Sequence, residues 1–468
     1  MATEMKRRQF LAICAAAAGS SVLAACAPKT PTAAPAPTEA APQGDVPRAE
    51  EPQPAAQEKV TLKLNMRAGG EQNEPSYYVD RPKELMEEYP YIDVELVPVP
   101  EDEYYTKIQT MAAAGSLGDV VFAQDDYSQQ RRHAVNGLLQ TSEEWLDANG
   151  HSKSEWLPSA VDALTYEGKM YGLPKSASPS QCFIFYNQDM FEEAGIPFPP
   201  KHGCTLEELQ EWVNTLTKGP EDMRDVFGIS LDLTSILGIH NWVRAFGSFA
   251  LNEEGTRQLS EGPEWYDAMQ YLYGFYQQQQ VPRDESLPSG GRRALFAAGK
   301  LAIMVGGRWE WKGIKAAVDV LEEPFRWDTV EMPHVENAKG WRASVNSHDP
   351  STQTEHPHEA FLLAYALADK RMSELSCAQI GYLSARVDDE ETIAALDDAD
   401  PTKEWLQLQY ECQLKTENFR GPANLRGIEL NTITKNFLDQ LWLGQEELTP
   451  DFMKRFTAAC QEVLDKPL

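Results

Sequence analysis

The side chain with the most explicit chemical setting is the thiol of Cys26, which ends the string Leu23-Ala24-Ala25-Cys26 at the close of a short apolar run. A string of this kind resembles a bacterial lipobox, where an export signal is cut and the new N-terminal cysteine is acylated. Upstream, Lys6-Arg7-Arg8-Gln9-Phe10-Leu11 supplies a basic region whose adjacent arginines resemble a twin-arginine signal, and Phe10 to Ala25 supplies the apolar stretch. That stretch of about 16 residues falls short of the roughly 20 needed to span a bilayer. Residues 1–25 are therefore expected to be a cleaved export signal, and Cys26 the lipidation site, in preference to an uncleaved membrane helix.

Other reactive side chains point nowhere so definite. Cys182, Cys204, Cys377, Cys412 and Cys460 show no C-x-x-C spacing of the zinc or thioredoxin type. His356-Pro357-His358-Glu359 crowds two imidazoles and a carboxylate, yet reads as a Pro-punctuated helix start. The acidic runs Asp388-Asp389-Glu390-Glu391 and Asp397-Asp398-Ala399-Asp400 lack the spacing of a calcium loop and read as solvated surface. No metal and no cofactor is expected. The chain carries no P-loop, no G-x-S-x-G elbow and no H-E-x-x-H. Glycosidases need no local signature, so Asp125 or Asp126 opposed by Glu310 stays open as the kind of carboxylate pair a secreted glycan hydrolase would use.

The elements that position side chains are readable in part. Val60 to Met66 alternates like a half-buried strand and opens onto Arg67-Ala68-Gly69-Gly70, a turn where backbone can approach a ligand. Asp80 to Tyr89 follows as a helix with Asp80 as its cap, then Ile92 to Val99 as a strand, Tyr104 to Ala114 as a helix and Asp119 to Ala123 as a short buried strand. Strand, helix, strand in repetition predicts an α/β lobe with a parallel sheet. Thr205-Leu206-Glu207-Glu208 is a capping box, and Thr449-Pro450 opens the last helix.

Residues 26–58 are the lipid-bearing cysteine and a Pro/Ala-rich stretch with nothing to build a core, a tether of extended character. Beyond it, a chain of this length exceeds what one core usually organises, so two lobes are expected. A net charge of −30 repels the phosphates of nucleic acid and of anionic lipid. Nucleic-acid binding and membrane contact other than through the lipid are excluded on that ground.

Four segments, in order, resemble the extracellular sugar-binding proteins of ABC importers, the family that includes maltose-binding protein. They are Gly118-Asp119-Val120-Val121-Phe122; Tyr166 to Pro174 leading into Phe185-Tyr186-Asn187 and Ala194-Gly195-Ile196-Pro197; Leu295 to Met304 followed by Gly306-Gly307-Arg308-Trp309-Glu310-Trp311; and Gly381-Tyr382-Leu383-Ser384-Ala385-Arg386. The chain departs from the family's pattern at Leu206, where a Trp is usual, and at Ser384, where a Pro is common. The resemblance implies a two-lobed α/β fold of the type II periplasmic-binding-protein kind, each lobe a mostly parallel sheet flanked by helices, with solute in the cleft between them. Mapped onto this chain, lobe one is 59–176 and 345–386, and lobe two is 177–344 and 387–468.

It further implies a monomeric, lipid-anchored receptor, not an enzyme, that captures a carbohydrate or related polyol by closure and hands it to an ABC permease on the outer face of the cytoplasmic membrane. Sugars are met by flat apolar faces and planar polar groups. By the family's positions Trp309 is the stacking aromatic with Trp311 two residues on, Asp126 and Tyr127 a polar pair in lobe one, and Trp242 a second aromatic wall. Arg67 and Glu71 flank the first glycine turn, Gln181 lies at a lobe crossing, and Asn424 and Arg426 precede the penultimate helix. Each has a plainer reading beside it: a core tryptophan for Trp242, Trp309 and Trp311, a solvated loop for Asp126 and Tyr127. Tyr186 and Asn187 read as structural.

Overall fold

The computed structural model of the protein describes residues 58–68, 77–100, 103–124, 129–221, 223–232, 235–283, 286–417 and 425–466. Cys26, the export signal and the tether lie outside the described residues. The described residues form twelve strands: β1 Val60–Ala68, β2 Ile92–Pro100, β3 Val120–Gln124, β4 Thr165–Tyr166, β5 Lys169–Met170, β6 Leu173–Pro179, β7 Phe183–Asn187, β8 Phe227–Ser230, β9 Leu301–Gly306, β10 Trp327–Glu331, β11 Trp341–Pro350 and β12 Thr416–Glu417. Six form one sheet, ordered β12-β11-β3-β1-β2 with β6 also on β11; four form a second, ordered β10-β7-β9-β8; β4 and β5 make a hairpin. Among the described residues no helix is long and apolar enough to cross a membrane.

Each sheet has its own core. Leu62, Leu64, Trp156, Leu173, Val345 and Phe361 are buried around the first, and Phe183, Phe185, Leu209, Trp242, Ile303 and Phe452 around the second. At roughly 1.5–3 kcal/mol for each large apolar side chain taken out of water, two such clusters organise two lobes. The chain passes from the first sheet to the second between Pro179 and Phe183 and returns between Glu331 and Trp341, whereas the sequence reading put the passages at 176/177 and 344/345.

The sheets are mixed where mostly parallel ones were expected. β1 pairs parallel with β2 and β3, and β8 with β9, but β11 runs antiparallel to β3 and β6, and β7 antiparallel to β9 and β10. The cause is the crossing itself. β7 and β11 enter their sheets from the other lobe, so they run against strands that end at the crossing. By the same geometry β1, β3 and β6 of the first sheet and β8, β9 and β10 of the second all present their carboxyl ends toward the passage between lobes, the place where open α/β sheets hold ligands.

Local signals explain several elements. Thr205 accepts from the Glu208 backbone N–H and Glu208 answers at the Thr205 N–H, starting the helix Leu206–Leu216; Thr449 caps Pro450–Leu464 from Phe452. Asn187, read as structural, caps Gln188–Glu193. Asp80 is not a cap. The helix starts at Tyr77, and the Asp80 carboxylate accepts instead from Gln379 Nε2 at 2.8 Å. In Gly118-Asp119 the glycine is steric: a Cβ there would lie 2.6 Å from Asn65 Oδ1, the atom its own N–H donates to.

Candidate functional site

At the carboxyl end of β1, half-buried Arg67 donates from Nη1 to Gln124 Oε1 at the end of β3, 2.9 Å away, and lies 5.4 Å from the Phe122 ring centroid. Tyr105, from the helix Tyr104–Ala113, donates its hydroxyl to the same Gln124 oxygen at 2.6 Å. Register places Phe122 opposite His348 of β11, with ring centroids 6.0 Å apart, and Tyr78 meets His348 edge-on at 5.6 Å. Lys175 of β6 stands over the Tyr78 ring at 4.9 Å. From the second lobe Arg308, just past β9, donates to the Leu383 carbonyl at 2.5 Å and covers the Tyr382 ring at 4.6 Å. Aromatic and cationic contacts thus run from the ends of β1 and β3 to Lys175 near the start of β6, and Arg308 adds its charge there from the second lobe.

Electrostatics there are set by burial. Desolvation holds the Lys175 ammonium well below its ordinary value, and the positive charges of Arg308 and Arg67 push the same way. His348 is wholly buried and held neutral, again by desolvation first and then by Lys175. Neither of its ring nitrogens meets a hydrogen-bond partner among the described residues. Phe122, Tyr78 and His348 are buried and pack behind the site, whereas half-buried Arg67 and Tyr105 with the planar amide of Gln124 suit a ligand rich in hydroxyl or other oxygen groups.

The structure sorts the residues expected here from sequence. Trp309 begins the helix Trp309–Asp319, is half-buried, and lays its ring over Gly307, where a Cβ would come within 2.2 Å of it. Trp311 turns the other way: its ring stacks on Trp405 at 5.9 Å with planes 2° apart, so one face is already taken. Trp242 is a correction. It is 2 % exposed inside the second core, packed against Tyr271, and has no face to offer a solute; the helix Ile236–Ala245 is buried nearly all round, its polar His240, Asn241 and Arg244 included, so polarity does not mark which face is core.

Gln181 sits on the passage between sheets with φ of +50° and donates to Asp232 Oδ2 at 2.9 Å, joining the crossing to the end of β8. Arg426 donates to the Lys466 carbonyl and approaches Glu429, which also faces Arg132 of the first lobe at 3.5 Å. Glu71, Asp126, Tyr127 and Asn424 lie outside the described residues, as does Asp125. Glu310, the partner proposed for a hydrolytic carboxylate pair, is held by Arg293 at 2.9 and 3.1 Å. Sequence reasoning missed Tyr78, Tyr105, Gln124, Lys175, Arg308 and His348. Arg308 stands inside the quoted Gly306-Gly307-Arg308-Trp309 segment and Gln124 and Lys175 adjoin strand motifs; the others carried no such signal.

Comparison with known proteins agrees with this architecture. A family model described as bacterial extracellular solute-binding protein matches residues 82–398. A putative binding protein of Brucella abortus is 26 % identical over 234 residues, 49 % of this chain and 54 % of that protein. The lactose-binding protein of Rhizobium radiobacter is 24 % identical over 283 residues, 58 % of this chain and 62 % of that one. The match thus spans little more than half the length of these curated relatives. Among solved structures, an ABC substrate-binding protein of Listeria monocytogenes in complex with cycloalternan superposes with a TM-score of 0.74 at 20 % identity, covering 86 % of this chain and 99 % of that one. A solute-binding protein of Thermotoga lettingae bound with α-D-tagatose gives 0.70 at 20 %, covering 86 % and 99 %.

Proposed function

The chain belongs to the bacterial extracellular solute-binding proteins, and from that premise we propose that it is a lipid-anchored receptor that captures a carbohydrate or polyol between its lobes and delivers it to an ABC permease. What supports this reading is that the carboxyl ends of β1, β3, β8 and β9 converge on the passage between two separately cored lobes, with half-buried Arg67 and Tyr105 gathered on Gln124 at the ends of β1 and β3 and half-buried Trp309 just past β9. In a receptor of this design the solute bridges both lobes and shifts the open–closed equilibrium by its differential affinity alone. Relatives named for lactose and mannitol make these the first solutes to try.

The test is thermal and chemical unfolding of the mature protein against lactose, mannitol and a wider panel of mono-, di- and oligosaccharides, polyols and sugar acids, with each hit recovered and analysed. A solute at about 100 times its dissociation constant stabilises by roughly 2.7 kcal/mol. Stabilisation with the sugar returned intact supports the receptor. Consumption of the sugar would move the assignment to a hydrolase, and silence across the panel would remove the carbohydrate reading.

A further inference from the structure

At the carboxyl end of β10, on the edge of the second sheet, three chain segments bring nitrogen, oxygen and sulfur ligands together. His202 comes from the loop ahead of the helix Leu206–Leu216, Glu331 is the last residue of β10, and Cys412 lies in the helix Pro401–Leu414. One donor atom from each lies within 4.8 Å of the other two. We propose that His202, Glu331 and Cys412 form a binding site for a borderline-soft divalent cation of the zinc type.

The donor set decides the class. Imidazole and thiolate beside a single carboxylate favour zinc over calcium or magnesium, which take all-oxygen shells. Zinc bonds of roughly 2.0–2.3 Å place neighbouring ligands of a tetrahedron between 3 and 4 Å apart, so donors already inside 4.8 Å need only small side-chain adjustments to close on the ion. The thiol of Cys412 would lose its proton to solvent on binding, as cysteine ligands do.

The surroundings are those of a supported site. His202 Nδ1 faces Glu331, while Nε2 lies 2.5 Å from Glu411 Oε2, the carboxylate–histidine pairing that fixes tautomer and ring orientation in metal centres. Glu331 is buried; its other oxygen accepts from Trp341 Nε1 at 2.7 Å, and its backbone N–H donates to the Lys201 carbonyl at 2.9 Å, which ties the His202 loop to the strand. Cys182 lies against Cys412 from the adjoining strand start. Half-exposed His202 opens the site to solvent, and Glu411 behind it also lines a surface groove of about 430 Å³ with Glu404, Asp398, Asp400, Lys201 and Lys403.

One group competes for the position. The Lys415 ammonium stands 2.5 Å from Glu331 Oε2 and 3.3 Å from His202 Nδ1, supplying positive charge where the ion would sit. Its side chain is 43 % exposed and can swing into water. The metal would therefore bind against Lys415, and its effect would be to clamp loop, strand and helix beside the passage between lobes.

The experiment uses the whole mature protein, stripped with chelator and dialysed. Titration calorimetry with Zn²⁺ should show one saturable site per chain that Mg²⁺ and Ca²⁺ do not occupy, and Co²⁺ should produce a thiolate-to-metal charge-transfer band. His202→Gln and Cys412→Ser should each weaken binding at least about 100-fold, Cys412→Ser should abolish the band, and Glu411→Gln should cost about 10- to 100-fold. Lys415→Gln should tighten binding several-fold, a change that a general loss of folding cannot mimic. Circular dichroism of the metal-free variants checks their folding, and Lys415→Gln with the Co²⁺ band of the unaltered protein decides if a ligand variant fails to fold. Absence of saturable Zn²⁺ binding, a Co²⁺ complex without the thiolate band, or weaker binding in Lys415→Gln would overturn the site.

Discussion

Asp349 of β11 is wholly buried, and among the described residues no donor stands in good hydrogen-bond geometry to its carboxyl oxygens. It is pressed against Gly172, where an added Cβ would lie 1.6 Å from Oδ1. Desolvation raises its pKa from 3.8 to about 8, with the neighbouring Ser347 hydroxyl pulling the other way. The native state therefore keeps the proton that the unfolded chain releases above pH 3.8. The contribution of Asp349 to stability is fully present below that pH and is lost as pH rises toward 8, at about 1.4 kcal/mol per pH unit. At pH 7 holding the acid neutral costs about 4 kcal/mol relative to a group that does not titrate.

Asp349→Asn replaces the acid by an isostere without a proton to lose. Burying an unpaired amide costs an estimated 1–3 kcal/mol at every pH, so the diagnostic quantity is the change in the difference between variant and parent. From pH 5 to pH 7 the variant should gain about 3 kcal/mol on the parent, read from urea unfolding at pH 5, 6 and 7. Other titrating groups, including the buried Asp389 raised to about 6, are common to both proteins and cancel. A stability difference that stays constant across these pH values would refute the reasoning, because it would mean that Asp349 is ionised in the native state.

Trp309→Ala should weaken binding of whichever solute the panel identifies by about 1–2 kcal/mol, roughly 5- to 30-fold, with the ligand-free thermal midpoint little changed; calorimetric titration measures it. Trp242→Ala should act on the fold, losing about 3–5 kcal/mol in denaturant unfolding as expected for a fully buried ring. Thr205→Ala removes the acceptor for the Glu208 N–H and should cost about 1 kcal/mol of stability without altering solute affinity.

Local interactions made much of this protein readable from its sequence. The capping box at Thr205 and the cap at Thr449 depend on contacts within a few residues, and the structure carries both; the alternation of β1 holds from Val60 to Leu64 and breaks at Asn65, which is buried where its side chain accepts from the Gly118 N–H. The ordered segments from Gly118 to Arg386 were enough for the family and its fold, because strand ends and turns impose their residues locally. Asp80 shows the limit even there: it lies inside the helix Tyr77–Glu88, and its carboxylate accepts from a distant tertiary partner, Gln379, instead of capping.

Tertiary structure alone decided which side chains converge. Residue type alone does not separate Trp242, inside the second core, from half-buried Trp309 at the start of the helix Trp309–Asp319; the two differ in what packs on them. β11 was not legible as the strand that sets His348 against Phe122, because its pairing with β3 and β6 reaches across more than 150 residues and answers to burial rather than to any local pattern. For the same reason His202, Glu331 and Cys412 carry no motif: His202 and Glu331 are 129 residues apart, and only the packing of loop, strand and helix makes them neighbours. Sequence determined the elements and their order through short-range backbone chemistry; the sites were decided by long-range burial, which desolvates some groups, pairs others and gives each its charge.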